Sequence, residues 1–184
     1  MSIMATHKNF SGKSISNPID WLCANAPGFD SLTQEERNAI MHFALLWSFF
    51  EAKVLGAQAC AKSIVEVSKR WESEARLKPE SFSNYLSYFQ RRYFKNGKFT
   101  DRFDSLRFRK NDNKELVEAV VKGETKNIGE IAAALLIIVY RLRNNLFHGE
   151  KWAYGINGQL DNFTNANSLL MLALELHRSS VSNA

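Results

Sequence analysis

The longest apolar segment of the chain lies in the stretch from Ile128 to Gly149, which reads "IGEIAAALLIIVYRLRNNLFHG". From Ile131 to Tyr140 it contains ten consecutive apolar residues, so a helix here is apolar on nearly every face. Such a helix is normally surrounded by other elements, and we therefore expect it at the centre of the domain. A membrane span needs roughly 20 apolar residues, so the run predicts a core helix and no membrane association.

The composition is that of a globular protein. The 184 residues are 45% hydrophobic, with 3 prolines and 9 glycines, which excludes a mainly disordered or fibrous chain. The length suits one domain with a full core. The first residues, through Ser14, contain no apolar signal region, so a cytoplasmic location is expected. Cys23 and Cys60 fit no metal spacing, and we expect both to be reduced and buried.

Helical signals follow one another along the chain. Residues 1–31 are polar and predict an arm with a short helix near Ile19–Ala24, while residues 32–184 predict a single domain. Thr33 can cap the first long helix together with Glu36, three residues on. Because strand signals are weak, the sequence predicts an all-α, up-and-down bundle of about five helices. The expected helical segments are about 33–55, 57–74, 79–93, 114–121, 128–147 and 165–178.

The net charge of +5 comes from one segment. Between Gln90 and Lys110, eight basic residues stand against two acidic ones, a balance of +6 that leaves the rest nearly neutral. A local excess of this kind is typical of a phosphate-binding surface. The predicted RNA-binding residues are Arg91, Arg92, Lys95, Lys98, Arg102, Arg107, Arg109 and Lys110. Aromatic residues are interleaved with them; exposed rings would stack on bases, but we expect most of these rings in the core.

A carboxylate interrupts the apolar side of the first long helix. Four places after Trp47, the stripe that begins at Ile40 and Ala44 reaches Glu51. A buried acid is costly unless it is paired, so Glu51 is expected to meet a cation or an amide. The alternative is that the helix rolls slightly and exposes the side chain to solvent.

The central helix ends in polar groups that could carry chemistry. Arg143 offers a planar, permanently charged fork suited to phosphate. His148 can exchange protons near neutrality, and the helix C-terminus favours its protonated form. Together they could cleave a phosphodiester without a metal, with His148 moving a proton and Arg143 stabilising the phosphorane-like transition state. The alternatives are a helix end that surfaces into solvent, or an Arg143–Glu51 ion pair that only locks two helices.

The spacing sets a geometric condition on this chemistry. In an unbroken helix, Arg143 and His148 point about 140° apart and are separated by about 7.5 Å along the axis. They converge only if the helix loosens before Gly149 or if two chains place their motifs face to face. We therefore expect a homodimer.

The segment "RNNLFHG", residues 143–149, resembles the Arg-x4-His motif of the HEPN domains (higher eukaryotes and prokaryotes nucleotide-binding). The context "LFHGEK", with Lys151, strengthens the resemblance, and "FALLWSFFEAKVLG" is similar to the leading helix of such domains. The resemblance covers residues 32–178. It implies a helical bundle in which Arg143 and His148 are catalytic, Asn144 orients, and Glu51 and Lys151 support.

The family resemblance also implies an activity. HEPN proteins include endoribonucleases that need no metal or other cofactor, act as dimers and leave 2′,3′-cyclic phosphate ends. They occur in toxin–antitoxin, abortive-infection and other antiviral systems. For this chain the implied partners are tRNA or single-stranded RNA, a second copy, and an antitoxin or defence-system protein.

Three functions are compatible with these sequence features. The first is a HEPN-like endoribonuclease. The second is a non-catalytic HEPN-like module that binds a partner protein, a nucleotide or RNA, because some members are inactive. The third is a general RNA-binding protein acting through the basic segment alone.

Overall fold

A computed structural model describes residues 17–148 and 156–181, and it confirms the all-α class. A two-strand antiparallel hairpin, Phe94–Lys95 (β1) and Lys98–Phe99 (β2), is the sheet structure within these ranges. Within the same ranges, no helix is both long and apolar enough to cross a membrane. The helices there are α1 (Pro18–Asn25), α2 (Gln34–Val54), α3 (Ala61–Ser73), α4 (Pro79–Tyr93), α5 (Asp101–Asp104), α6 (Lys114–Lys122), α7 (Ile128–Phe147) and α8 (Leu160–Val181).

Helix α7 is the centre of the core, as its apolar run predicts. Every residue from Ile131 to Val139 is buried, and α7 packs against α3, α4, α6 and α8. Helix α2 packs chiefly against α8. Because α7 is covered on most sides, its polar side chains lie near its two ends, with Glu130 in the first turn and the others in the C-terminal turns.

The start of α2 has the predicted capping box. The hydroxyl of Thr33 accepts the N–H of Glu36 at 3.1 Å, and the Glu36 carboxylate accepts the N–H of Thr33 at 3.0 Å. The preceding arm is tied to the domain at the same place. Phe29 and Leu32 are buried in the common core, and the Arg37 guanidinium lies 4.9 Å from the centre of the Phe29 ring.

Two helix starts differ from the predicted ones. Helix α3 begins at Ala61 and not near residue 57, because the left-handed φ of 61° at Ala57 is incompatible with a right-handed helix there. Helix α8 begins at Leu160, five residues before the expected Asn165. The asparagines in its first turns favour a loop, but packing of Phe163 against Phe43, with ring centres 5.1 Å apart, stabilises these turns as helix.

The prediction that both cysteines are buried is wrong for Cys60. This residue is exposed because it caps α3, where its sulfur accepts the N–H of Ser63 at 3.4 Å. These contacts with Ser63 lower the pKa of the Cys60 thiol. Cys23 is half-buried, and both thiols are free.

The aromatic residues of the basic segment belong mostly to the core, as favoured from the sequence. Phe89, Tyr93 and Phe103 are each at most 1% exposed. The rings of Phe99 and Phe103 stack with centres 4.2 Å apart, and Phe108 packs against Phe103 at 5.3 Å. The rings therefore hold the basic segment to the domain, while all of its cationic residues except the half-buried Arg92 are exposed.

Candidate active site at the end of the central helix

Helix α7 stays regular through the motif. It ends at Phe147, and His148 is its C-cap, whose N–H donates to the carbonyl of Asn144 at 2.9 Å. The helix therefore does not loosen before His148, and the two motif side chains point to different sides. The condition for bringing Arg143 and His148 together within one chain is therefore not met.

Arg143 faces helix α2. Its Nη2 lies 3.3 Å from Oε2 of Glu51, and its Nη1 donates to Oδ1 of Asn144 at 3.0 Å. The indole N–H of Trp47 donates to the same Glu51 oxygen at 2.7 Å. The guanidinium also lies 5.7 Å from the centre of the Trp47 ring and 5.4 Å from that of Phe147.

The environment of Glu51 confirms that this acid meets a cation. Its side chain is 23% exposed, so the alternative of a carboxylate turned out to solvent is wrong. The ion pair with Arg143 joins α2 to α7, as the locking interpretation of Arg143 predicts. Structural anchoring and catalysis are compatible roles, because an anchored guanidinium is held ready for a substrate.

His148 lies on the other side of the helix end, in a small polar pocket. His148 is exposed, and the open pocket has a volume of about 150 Å³. Of the described residues, those lining it are Arg107, Arg109, Arg141, Asn144, Asn145 and His148. Two of the eight predicted RNA-binding residues thus meet the predicted catalytic histidine, although 39 or more positions separate them in the chain.

Asn144 connects the two sides of the site. Its Oδ1 accepts a hydrogen bond from Nη1 of Arg143, and its side chain also lines the pocket that contains His148. Arg143 itself is not among the described residues of that lining. The predicted orienting residue therefore contacts Arg143 and lines the same pocket as His148.

Arg141 also belongs to this site, although its side chain was not predicted to be functional. It is 2% exposed, and its Nε and Nη2 donate to the carbonyls of Leu106 and Arg107 at 3.0 and 2.6 Å. Its Nη1 lies 3.0 Å from Oδ2 of Asp112. A charged residue inside an otherwise apolar helix, four places before Asn145, was the signal available in the sequence.

The electrostatics of the pocket favour an anion. Burial lowers the pKa of Arg141, while the negative charge of nearby Asp112 acts in the opposite direction. The guanidinium remains charged, as arginines do in proteins. Although Nη1 of Arg141 is within ion-pair distance of Asp112, no acceptor among the described residues has hydrogen-bonding geometry to it. Arg107 and Arg109 are exposed beside Arg141, so three guanidinium groups line the pocket. The nearby carboxylate of Asp112 is buried.

The other predicted basic residues do not line this pocket within the described part of the chain. Arg92 is half-buried and donates to Gln159 Oε1 at 3.0 Å. Lys151, predicted to support the site, and Gly149 lie outside the described residues. The remaining five basic side chains are exposed at the surface: Arg91, Lys95, Lys98, Arg102 and Lys110.

Comparisons with protein-family models, with curated proteins and with solved structures found no match to this chain. What the site can do therefore follows from its own groups. A solvent-accessible imidazole lies beside guanidinium groups that can hold a phosphate. That combination suits proton transfer at a bound phosphoryl group.

Proposed function

We propose that this protein is a metal-independent endoribonuclease of the HEPN type. The observation that carries the proposal is the pocket shared by exposed His148 and the arginines at 107 and 109. An arginine binds phosphate through a planar fork, and a histidine moves protons at neutral pH. RNA supplies its own nucleophile in the 2′-hydroxyl, so these groups suffice without a metal or other cofactor.

The proposed reaction is an internal transfer at phosphorus. The 2′-hydroxyl gives its proton to a solvent water molecule as its oxygen forms a bond to phosphorus, while the bond from phosphorus to the 5′-oxygen breaks. His148 in its protonated form gives its proton to the departing 5′-oxygen. Arg107 and Arg109 hold the non-bridging oxygens, where negative charge increases in the transition state. The products are a 2′,3′-cyclic phosphate and a 5′-hydroxyl.

Arg143 enters this proposal through a second copy of the chain. Within one chain it is held by Glu51, 3.3 Å away, and it does not line the described pocket. A homodimer that places the two motifs face to face would bring Arg143 of one copy towards His148 of the other. Asn144, which contacts Arg143 and lines the pocket, would orient both.

The proposed setting follows the family resemblance. The substrate would be tRNA or single-stranded RNA, bound largely through its phosphates. The protein would act in the cytoplasm as part of a toxin–antitoxin or antiviral defence system, with an antitoxin or another defence protein as its partner. Toxicity on expression, relieved by His148→Ala, would support this setting.

The test is cleavage of tRNA and of single-stranded RNA in the presence of EDTA. His148→Ala should abolish cleavage and leave the fold intact, because an exposed residue that contributes a proton changes stability by only about 0.5 kcal/mol. His42→Ala is a matched control, since His42 is an exposed histidine on α2 outside the pocket. Cleavage that persists in both His148→Ala and Arg143→Ala would refute the proposal.

A second candidate function is a non-catalytic helical module that binds a partner protein, a nucleotide or RNA. The observation that favours it is the Arg143–Glu51–Trp47 arrangement, in which the motif arginine connects two helices. This candidate predicts that Arg143→Ala disturbs folding or assembly and that the wild-type protein cuts no RNA. Absence of cleavage together with intact binding would select it.

A further inference from the structure

We infer that Arg141 and Asn145 are positioning residues, which hold the loop of residues 105–109 so that Arg107 and Arg109 face a phosphate in the pocket. The inference rests on the proposed function, because it concerns how that site engages RNA. It adds two residues that lie outside the Arg-x4-His motif and that act through the loop.

The first support is a set of hydrogen bonds from one face of α7. Arg141 and Asn145 are four residues apart and therefore lie on the same side of the helix. Nε and Nη2 of Arg141 donate to the carbonyls of Leu106 and Arg107 at 3.0 and 2.6 Å. Nδ2 of Asn145 donates to the carbonyl of Ser105 at 2.9 Å. Three successive loop carbonyls are thus fixed to the central helix.

The second support is Asp112, which ties the far end of the loop to the same arginine. Its Oδ2 accepts the N–H of Arg109 at 2.6 Å and lies 3.0 Å from Nη1 of Arg141. Asp112 is 5% exposed, and Leu106 fills the core beneath the loop at 2% exposed. The backbone is therefore held on both sides of Arg107 and Arg109, whose side chains remain exposed.

The third support is the backbone conformation of the loop. Arg107 has a φ of 52°, in the left-handed region that residues other than glycine rarely adopt. Such a conformation persists only where the surroundings impose it. The carbonyl of Arg107 is the one that accepts Nη2 of Arg141. Loss of that contact would let the residue return to a common conformation and turn its side chain away from the pocket.

The chemistry of the guanidinium explains why an arginine occupies position 141. Its planar fork donates in several fixed directions, and here it meets two carbonyls and one carboxylate together. A lysine has one nitrogen on a flexible stem and cannot meet all three in this geometry. Arg141→Lys should therefore retain the buried charge but release part of the loop.

The test measures RNA binding separately from cleavage. A fluorescently labelled single-stranded RNA of mixed sequence is titrated in EDTA, with His148→Ala as the background so that the RNA stays intact. Adding Asn145→Ala should raise Kd about tenfold and reduce the dependence of Kd on salt, because phosphate contacts are lost. Arg141→Lys should act in the same direction. In the presence of His148, Asn145→Ala should raise KM and leave the pH profile of kcat unchanged.

The matched control is Asn167→Ala. Asn167 is also a buried helical asparagine, whose Nδ2 donates to the carbonyl of Ala39 at 2.9 Å, but it lies outside the pocket. The Asn167→Ala substitution should lower the free energy of unfolding as much as Asn145→Ala does and leave Kd for RNA unchanged. Equal RNA affinity in Asn145→Ala, Arg141→Lys and the Asn167→Ala control would overturn the positioning role.

The outcomes separate this inference from the proposed function. If the wild-type protein binds RNA and never cleaves it, the endoribonuclease proposal fails, and the comparison of affinities still decides the role of Arg141 and Asn145. If cleavage occurs and Asn145→Ala alters only the unfolding midpoint, the positioning role fails alone. Absence of any RNA binding by the wild-type protein overturns both.

Discussion

Nη2 of Arg143 lies 3.3 Å from Oε2 of Glu51, on the side of α7 that faces α2. The same carboxylate oxygen accepts the indole N–H of Trp47 at 2.7 Å. The motif arginine is therefore fixed in a partly buried aromatic and acidic setting, while His148 opens into a pocket on the other side. This arrangement makes the anchoring role of Arg143 and its proposed catalytic role separable by mutation.

Glu51→Gln should have a small effect on stability and a smaller effect on cleavage than Arg143→Ala. The ion pair is partly exposed, with side chains 28% and 23% accessible, so it contributes only about 0–1 kcal/mol. Glutamine keeps an acceptor for Trp47. Urea unfolding and RNA cleavage rates measured on both variants check this. Equal losses of cleavage in the two variants would mean that Arg143 acts only through its ion pair.

Arg107→Ala and Arg109→Ala should each weaken RNA binding and lower its sensitivity to salt. For single-stranded RNA, each lost phosphate contact reduces the slope of log K against log salt by about 0.7. Titrations between about 50 and about 200 mM salt measure this slope. Arg70→Ala serves as the control, because Arg70 is an exposed arginine on α3 outside the basic segment. An unchanged slope in both pocket variants would place the phosphate contacts elsewhere.

Asp112→Ala should be far more destabilising than Glu51→Ala. Arg141 and Asp112 form a buried ion pair, with side chains only 3% and 7% accessible. Removing one partner leaves a buried charge without its counter-charge, which costs about 3–5 kcal/mol. The free energy of unfolding from urea titrations measures the difference. Similar losses for the two variants would show that water reaches Arg141 once Asp112 is gone.

Stability should fall on mild acidification because of His177. Burial lowers the pKa of His177, and Arg70 and Arg76 lower it further. The unfolded chain therefore takes up a proton more readily than the native protein as the pH falls through the ordinary value of 6.5. The native state keeps its full stability above that value and loses part of it below.

The comparison of wild type with His177→Gln checks this prediction. Urea unfolding at about pH 7.5 and about pH 5.5 should show a larger loss of stability in the wild type, since glutamine does not titrate. Equal losses in both proteins would assign the acid sensitivity to other groups.

The residues of α7 show how much of this fold the sequence could predict. Its bounds, Ile128–Phe147, are those expected from the apolar run and the polar residues that flank it. The capping box of Thr33 and Glu36 followed equally from spacing, as did the need of Glu51 for a cation or an amide. The start of α8 was missed because asparagines at its beginning lower the local helix signal, while burial of Phe163 overrides it.

For the candidate site, too, the sequence predicts some of the residues and leaves their long-range contacts undetermined. Arg143, Asn144 and His148 could be singled out as polar groups that end an apolar helix, and the excess of positive charge could be placed between Gln90 and Lys110. Which of the eight basic residues meet His148 could not be read from the sequence, because it depends on where the loop after α5 returns to α7.

The helical class, the central position of α7 and the polar character of its end can be predicted from the amino-acid sequence, because they follow from periodicity and apolar content over neighbouring residues. The pairing of Arg143 with Glu51 and the pocket that His148 shares with Arg107 and Arg109 are seen only in the folded chain. That division arises from contacts between residues far apart in the chain, above all the bonds by which Arg141 and Asn145 hold the loop.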